Sequence, residues 1–230
     1  MIFAGIQNLT LLDYPGKLAC TLFTHGCNFR CPFCHNASLV TRKQEQTLTQ
    51  DAVFEFLRRR KGTLDGVVVT GGEPLMHPQL AEFLQQVKDL GFLVKLDTNG
   101  SFPERLKALV GAGLVDKVAM DIKNSPDLYA KTIGTDRIDF AEIDASREFL
   151  MQGNVEYEFR TTVVKGLHTA QSLEDAAKWI AGADAYFLQQ FIDSGDLLDG
   201  QNLENYNAEQ MQAFLNNIKN YVPNAALRGL

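Results

Sequence analysis

Six times along this chain a short apolar run closes on a polar or glycine-bearing cluster and gives way to a stretch with helical spacing. The runs lie at 17–24, 66–70, 92–96, 118–120, 156–164 and 186–191. Gly66-Val67-Val68-Val69-Thr70 is apolar nearly throughout, as a strand covered on both faces must be, and such strands belong to parallel sheets. Parallel neighbours need a long crossover, which a helix supplies with right-handed sense. The expected fold is therefore α/β, a parallel sheet curled into a partial (βα)6 barrel; with six units where a closed barrel has eight, it stays open on one side. All the polar clusters fall at the C-terminal ends of the runs, the face on which βα barrels carry their chemistry. At 230 residues and 45% hydrophobic content the chain can bury one full core. Residues 1–230 thus read as a single domain, with its core at about 17–195 and a final helix at about 208–221 covering an open edge.

The first of these clusters holds the most specific chemistry. Cys27-Asn28-Phe29-Arg30-Cys31-Pro32-Phe33-Cys34 places three of the chain's four cysteines in a C-x3-C-x2-C spacing. Thiolates so close can share one metal centre. A closed zinc site takes four ligands and most iron-sulfur clusters take four cysteines, so three leave a position open. A Cys3His zinc site completed by His25 or His35 is the competing chemistry. Cys20 is the only further thiol; strand alternation sets it beside Leu18 and Leu22, as a small core residue.

C-x3-C-x2-C after the first core strand, followed by His35-Asn36 and later by Gly71-Gly72-Glu73-Pro74, resembles the radical S-adenosylmethionine superfamily. Within it, Leu12-Asp13-Tyr14-Pro15-Gly16-Lys17 and Cys34-His35-Asn36 are similar to the glycyl-radical-activating enzymes, most of all those serving anaerobic ribonucleoside-triphosphate reductase. The resemblance runs from about residue 8 to 195. It implies a [4Fe-4S] cluster on Cys27, Cys31 and Cys34, whose open iron holds S-adenosylmethionine. Reductive cleavage then gives methionine and a 5′-deoxyadenosyl radical, which takes a hydrogen atom from a glycine Cα of a partner enzyme. It also implies that Gly71, Gly72 and Glu73 hold the methionine amino group, and that Asp97, Asn99, Asp121 and Lys123 face its carboxylate and ribose. Arg160, Thr162 and Gln189 would border the ligand. Some activases carry a monovalent cation, for which Asp97, Thr98 and Asp121 stand at the matching positions. A flavodoxin or ferredoxin would supply the electron. The activases of pyruvate formate-lyase carry a histidine where this chain has Ile192, which argues for the reductase as partner; a small-molecule substrate is the other alternative.

Composition narrows the remainder. A formal net charge of −6 argues against a nucleic-acid partner or an anionic membrane surface. Three cysteines crowded on one loop are not a disulfide framework, and no leader or long apolar span is visible, so a reducing cytoplasm is expected. Arg58-Arg59-Arg60-Lys61-Gly62 reads as the basic C-terminus of a helix capped at Thr49. His168 reads as an exposed loop residue, and Trp179 as packing.

Overall fold

The computed structural model describes residues 1–41, 47–193 and 195–229. In chain order the elements are β1 (Ile2–Thr10), β2 (Ala19–Thr24), α1 (Ala37–Thr41), β3 (Leu48–Thr49), α2 (Gln50–Arg60), β4 (Gly66–Gly71), α3 (Leu80–Asp89), β5 (Leu93–Thr98) and α4 (Pro103–Gly111). There follow β6 (Lys117–Asp121), α5 (Tyr129–Ile133), α6 (Phe140–Met151), β7 (Glu156–Val163), α7 (Ala170–Trp179), β8 (Tyr186–Gln190), α8 (Ala208–Ile218) and β9 (Ala226–Arg228). One sheet runs β3-β1-β2-β4-β5-β6-β7-β8-β9. From β2 to β9 every pairing is parallel, whereas β1 pairs antiparallel with both β2 and β3. The six expected strands are consecutive neighbours, and the sheet is an open partial barrel.

Two features extend the expectation. A strand ahead of the first apolar run, β1, pairs with β2, with Ile6 opposite Leu22. The final helix does not end the fold: α8 is a crossover to β9, which pairs with β8 through Leu188 and Leu227.

Burial explains why these segments hold. Val67, Val68 and Val69 of β4 are fully buried, as a strand sandwiched between helices and lumen requires; each such side chain contributes about 1.5–3 kcal/mol relative to exposure. Phe83 of α3 packs against Phe3 at 4.8 Å and Phe54 at 5.2 Å between ring centroids. Trp179 packs against Phe140 and Tyr129, as expected of a core residue. Helix starts are capped by side chains: Thr49 accepts from the Ala52 amide, and Thr169 with Ser172 forms a reciprocal pair.

The lumen floor is ionic. Lys95 of β5 is 1% exposed and donates to Asp97 at 2.6 Å. Glu158 of β7 accepts both arms of Arg228 at 2.8 and 3.0 Å, and Lys117 stands 3.6 Å away. Glu158 and Arg160 on β7 therefore point inward, and among the described residues every buried charge on this floor has a partner, the lack of which would be costly. The basic end of α2 is exposed and precedes β4, so it lies on the face opposite the cysteine loop; Arg59 pairs with Glu55 and Arg60 sits over the Phe56 ring.

His168 departs from the expectation of an exposed loop residue, being 1% exposed. The Val164 amide donates to its Nδ1 at 3.1 Å, so the proton sits on Nε2, which donates to the Lys123 carbonyl at 2.8 Å. The segment 165–168 folds inward because Asn124 bonds the Leu167 carbonyl. Among the described residues no helix is long and apolar enough to cross a membrane.

Candidate active site

β2 delivers the cysteine loop to the C-terminal rim, and backbone bonds fix its course. Gly26 donates to the Leu39 carbonyl at 2.9 Å and accepts from Glu73 at 2.8 Å; Arg30 donates to Ile133 at 2.8 Å and Cys34 to Cys31 at 3.1 Å. Glycine is required where the loop meets the exit of β4. Gly71 has φ +112°, and a Cβ on Gly72 would lie 1.7 Å from the Gly26 carbonyl oxygen.

A cavity of about 260 Å3 opens inside this rim. Its wall takes Cys27, Cys31 and Cys34 from the loop, Gly71 and Gly72 at the exit of β4, and Asp97, Thr98 and Asn99 at the end of β5. Opposite stand Asp121 and Lys123 at the exit of β6, Arg160 and Thr162 on β7, and Gln189 on β8. Thr162 and Gln189 are register partners on adjacent strands. His35, Asn36 and Val40 also line it; the sequence offered His35 only as a possible zinc ligand and gave Asn36 and Val40 no contact with the ligand. Their signal was their place directly after the third cysteine; Asn36 bonds the Gly71 carbonyl, and His35 stacks on Phe191.

Glu73 is the one expected residue absent from the wall. It is fully buried, and its carboxylate accepts from the Leu75 amide, the Thr98 hydroxyl and the Asn99 amide. The side chain thus ties two strand ends together instead of facing a ligand. Burial pushes its carboxyl up to about 7 against the pull of those donors.

The expected cation set also differs. Arg160 lies between Asp97 at 2.9 Å and Asp121 at 3.0 Å, while Lys95 takes the other oxygen of Asp97 and Lys123 that of Asp121. Fixed guanidinium and ammonium groups already neutralise the acids assigned to a monovalent cation. Burial alone would raise both carboxyls, but Lys123 and Arg160 hold Asp121 at about 2, and Arg160 and Lys95 keep Asp97 below its ordinary value. Lys123 in turn points over the Phe33 ring at 5.9 Å, with its charge held by Asp121 against burial.

The thiols fit a metal centre. Burial pushes Cys27 to about 11 and Cys31 to about 12, with Lys123 acting in the opposite direction, so a bound cation is what would draw off their protons. Among the described residues no group of three or more His, Cys, Asp or Glu is placed to hold a single ion. Three sulfurs spread around one cavity suit a cluster with one iron per thiolate. Cys20 on β2 is fully buried and does not line the cavity.

The family model described as the Radical SAM superfamily matches residues 21–180. A protein of Methanocaldococcus jannaschii, provisionally described as a glycyl-radical enzyme activating enzyme, is 34% identical over 83% of this chain and 80% of its own. The pyruvate formate-lyase-activating enzyme of Clostridium pasteurianum is 32% identical over 54% of this chain and 52% of its own. Among solved structures, Streptococcus suis SuiB bound to S-adenosylmethionine superposes with a TM-score of 0.71 over 89% of this chain and 48% of its own, at 13% identity. The last shows likeness of fold alone. Since the family match takes in the cysteine loop and the whole of β4 to β7, whose ends build the cavity wall, the chain belongs to the radical S-adenosylmethionine superfamily and is an enzyme.

Proposed function

We propose that this enzyme is an activase that generates a glycyl radical on a partner protein, with anaerobic ribonucleoside-triphosphate reductase as the partner. The observation that carries the reading is the three-thiolate loop set around the same cavity as the β4 to β8 strand ends; the M. jannaschii relative, similar along most of both chains, supports it. Cys27, Cys31 and Cys34 would hold a [4Fe-4S] cluster, with S-adenosylmethionine beside it. When bound, the pair supplies one-electron reductive cleavage of the sulfonium bond to C5′, with abstraction of a hydrogen atom from a glycine Cα as the outcome.

The chain's own groups then have distinct tasks. Gly71 and Gly72 let backbone approach the methionine end, because neither carries a side chain into the cavity. Lys123 presents a charge to a carboxylate. Among the described residues the side chains of Thr162 and Gln189, which line the cavity, make no hydrogen bond, which leaves both free for ribose hydroxyls. Phe29 and Phe33, 2% and 3% exposed, screen the loop from water. The sheet ends at β9 without pairing to β3, and that gap would admit a loop of a macromolecular partner. A flavodoxin or ferredoxin would serve as donor. Pyruvate formate-lyase is the second reading, favoured by the C. pasteurianum relative.

Anaerobic reconstitution with iron and sulfide, reduction, and addition of S-adenosylmethionine with and without the reductase is the test. Methionine release with a glycyl-radical doublet only when reductase is present supports the proposal. Release without that doublet sends the search to another partner or a small substrate.

A further inference from the structure

Cys27 differs from the other two loop cysteines in what surrounds its sulfur. Its Sγ accepts from the Phe29 amide at 3.4 Å and from Nδ2 of Asn99 at 3.8 Å. Among the described residues, Asn99 is the only side chain that donates to any of the three sulfurs.

The orientation of that amide is dictated by its neighbours. Ser101 places both its backbone N–H, at 3.0 Å, and its hydroxyl, at 2.6 Å, against Oδ1 of Asn99. A backbone N–H can only donate, so the atom facing it must be the oxygen. The two hydrogens on Nδ2 are therefore turned toward the cysteine loop. One goes to Oδ1 of Asn28 at 2.9 Å, and Asn28 closes the ring by donating to Ser101 at 2.8 Å. The other is left for Cys27. Asn99 is itself immobilised, being 6% exposed with its backbone amide held by Glu73 at 2.7 Å.

A sulfur ligating a redox cluster gains negative charge when the cluster takes an electron, and a fixed N–H donor stabilises that charge; hydrogen bonds to the sulfurs are among the factors that set cluster potentials. We infer that Asn99 tunes the cluster through Cys27, raising its reduction potential by the N–H it aims at that one thiolate. The inference rests on the cluster reading above. It assigns Asn99 to the cluster ligand, in place of the contact with S-adenosylmethionine that its motif position implies. Asn99 is thus a positioning and tuning residue.

Asn99→Asp tests it most directly. The variant keeps an acceptor for Ser101, removes the donor and sets a carboxylate near the thiolate. Wild type, Asn99→Asp and Asn99→Ala are reconstituted and titrated with dithionite and mediators, without S-adenosylmethionine, and the reduced cluster is followed by electron paramagnetic resonance. At the wild-type midpoint the ratio of reduced to oxidised cluster should fall about tenfold in Asn99→Asp, a shift of about 59 mV for one electron. Asn99→Ala, which adds no charge, should shift less and in the same direction. Unchanged midpoints in both variants, with weakened S-adenosylmethionine binding, would overturn the inference and return Asn99 to that ligand. Absence of cluster from both variants, with the cluster-free proteins melting as wild type, would also overturn it, because the side chain would then only hold the loop. A wild-type protein that takes up no cluster would overturn the underlying reading as well.

Discussion

Alanine at Gly72 probes the contact between the cysteine loop and the β4 exit. The added Cβ would meet the Gly26 carbonyl oxygen at 1.7 Å and its carbon at 2.5 Å, where 3.4 Å is the lower limit of an ordinary contact. The obstacle is backbone, so no rotamer change relieves it, and the two segments must part by roughly 1.7 Å, the difference of those distances. That separation breaks the 2.8 Å bond from the Glu73 amide to Gly26. Losing it costs about 1 kcal/mol, and forcing extra volume into a packed site adds about 1–3 kcal/mol. A total of about 2–4 kcal/mol lowers the melting temperature of a chain this long by about 5–15 °C. Because Gly26 precedes Cys27, iron uptake should fall as well. Melting of the cluster-free protein and iron and sulfide analysis after reconstitution measure the two effects separately. A Gly72→Ala protein that melts like wild type and loads as much iron would refute the reasoning.

Three further outcomes follow from the site and its surroundings. Arg160→Leu leaves Asp97 with Lys95 and Asp121 with Lys123, so urea unfolding at pH 7 should show a loss of about 2–4 kcal/mol, toward the lower end of breaking buried pairs. Asp121, held at about 2 against its ordinary 3.8 and with its side chain 28% exposed, adds at most about 2 kcal/mol to stability above pH 3.8; that contribution disappears as pH falls through 2. The variant's acid unfolding should therefore begin at higher pH than in wild type. His168 is held neutral by burial, so the unfolded chain binds its proton near pH 6.5 while the folded chain resists it; stability is lost as pH falls below that value. His168→Phe should remove this part of the slope and, by stranding the Val164 amide and Lys123 carbonyl, cost about 2–4 kcal/mol; an unaltered slope by calorimetry between pH 5 and 8 would count against it. Cys20→Ala should load iron fully and lose about 1–2 kcal/mol, since that thiol is fully buried and burial pushes it to about 12; a loss of cluster would place Cys20 in the metal site.

The parallel strands were readable because each is a local apolar run, and the rim because each run ends in residues that a buried strand could not carry further. The cysteine loop and the glycines after β4 announced themselves by spacing. What could not be read depends on partners remote in sequence. β9 is three residues long and is a strand only because β8 offers an edge and Glu158 a partner for Arg228. His168 sits in a segment that reads as polar loop, yet Asn124 and Lys123, some forty positions earlier, draw it inward. The inward turn of Glu73 and the bridge from Arg160 to two acids arise from four neighbouring strands, β4 to β7, meeting at one rim. No window of sequence contains them together.

The cysteine loop is braced from several directions by the polypeptide itself: Gly26 by Glu73, Arg30 by Ile133, Pro32 by the Asp199 amide and Asn28 by Asn99. Three thiolates and an open iron would be sensitive to oxygen, and a loop that collapsed on losing the cluster would condemn the chain to resynthesis. These anchors lie outside the loop, after β4, β5 and β8 and in α5, so losing the inorganic part would leave the polypeptide contacts themselves in place. Repair would then be a matter of refilling, and the enzyme could be restored from polypeptide already made.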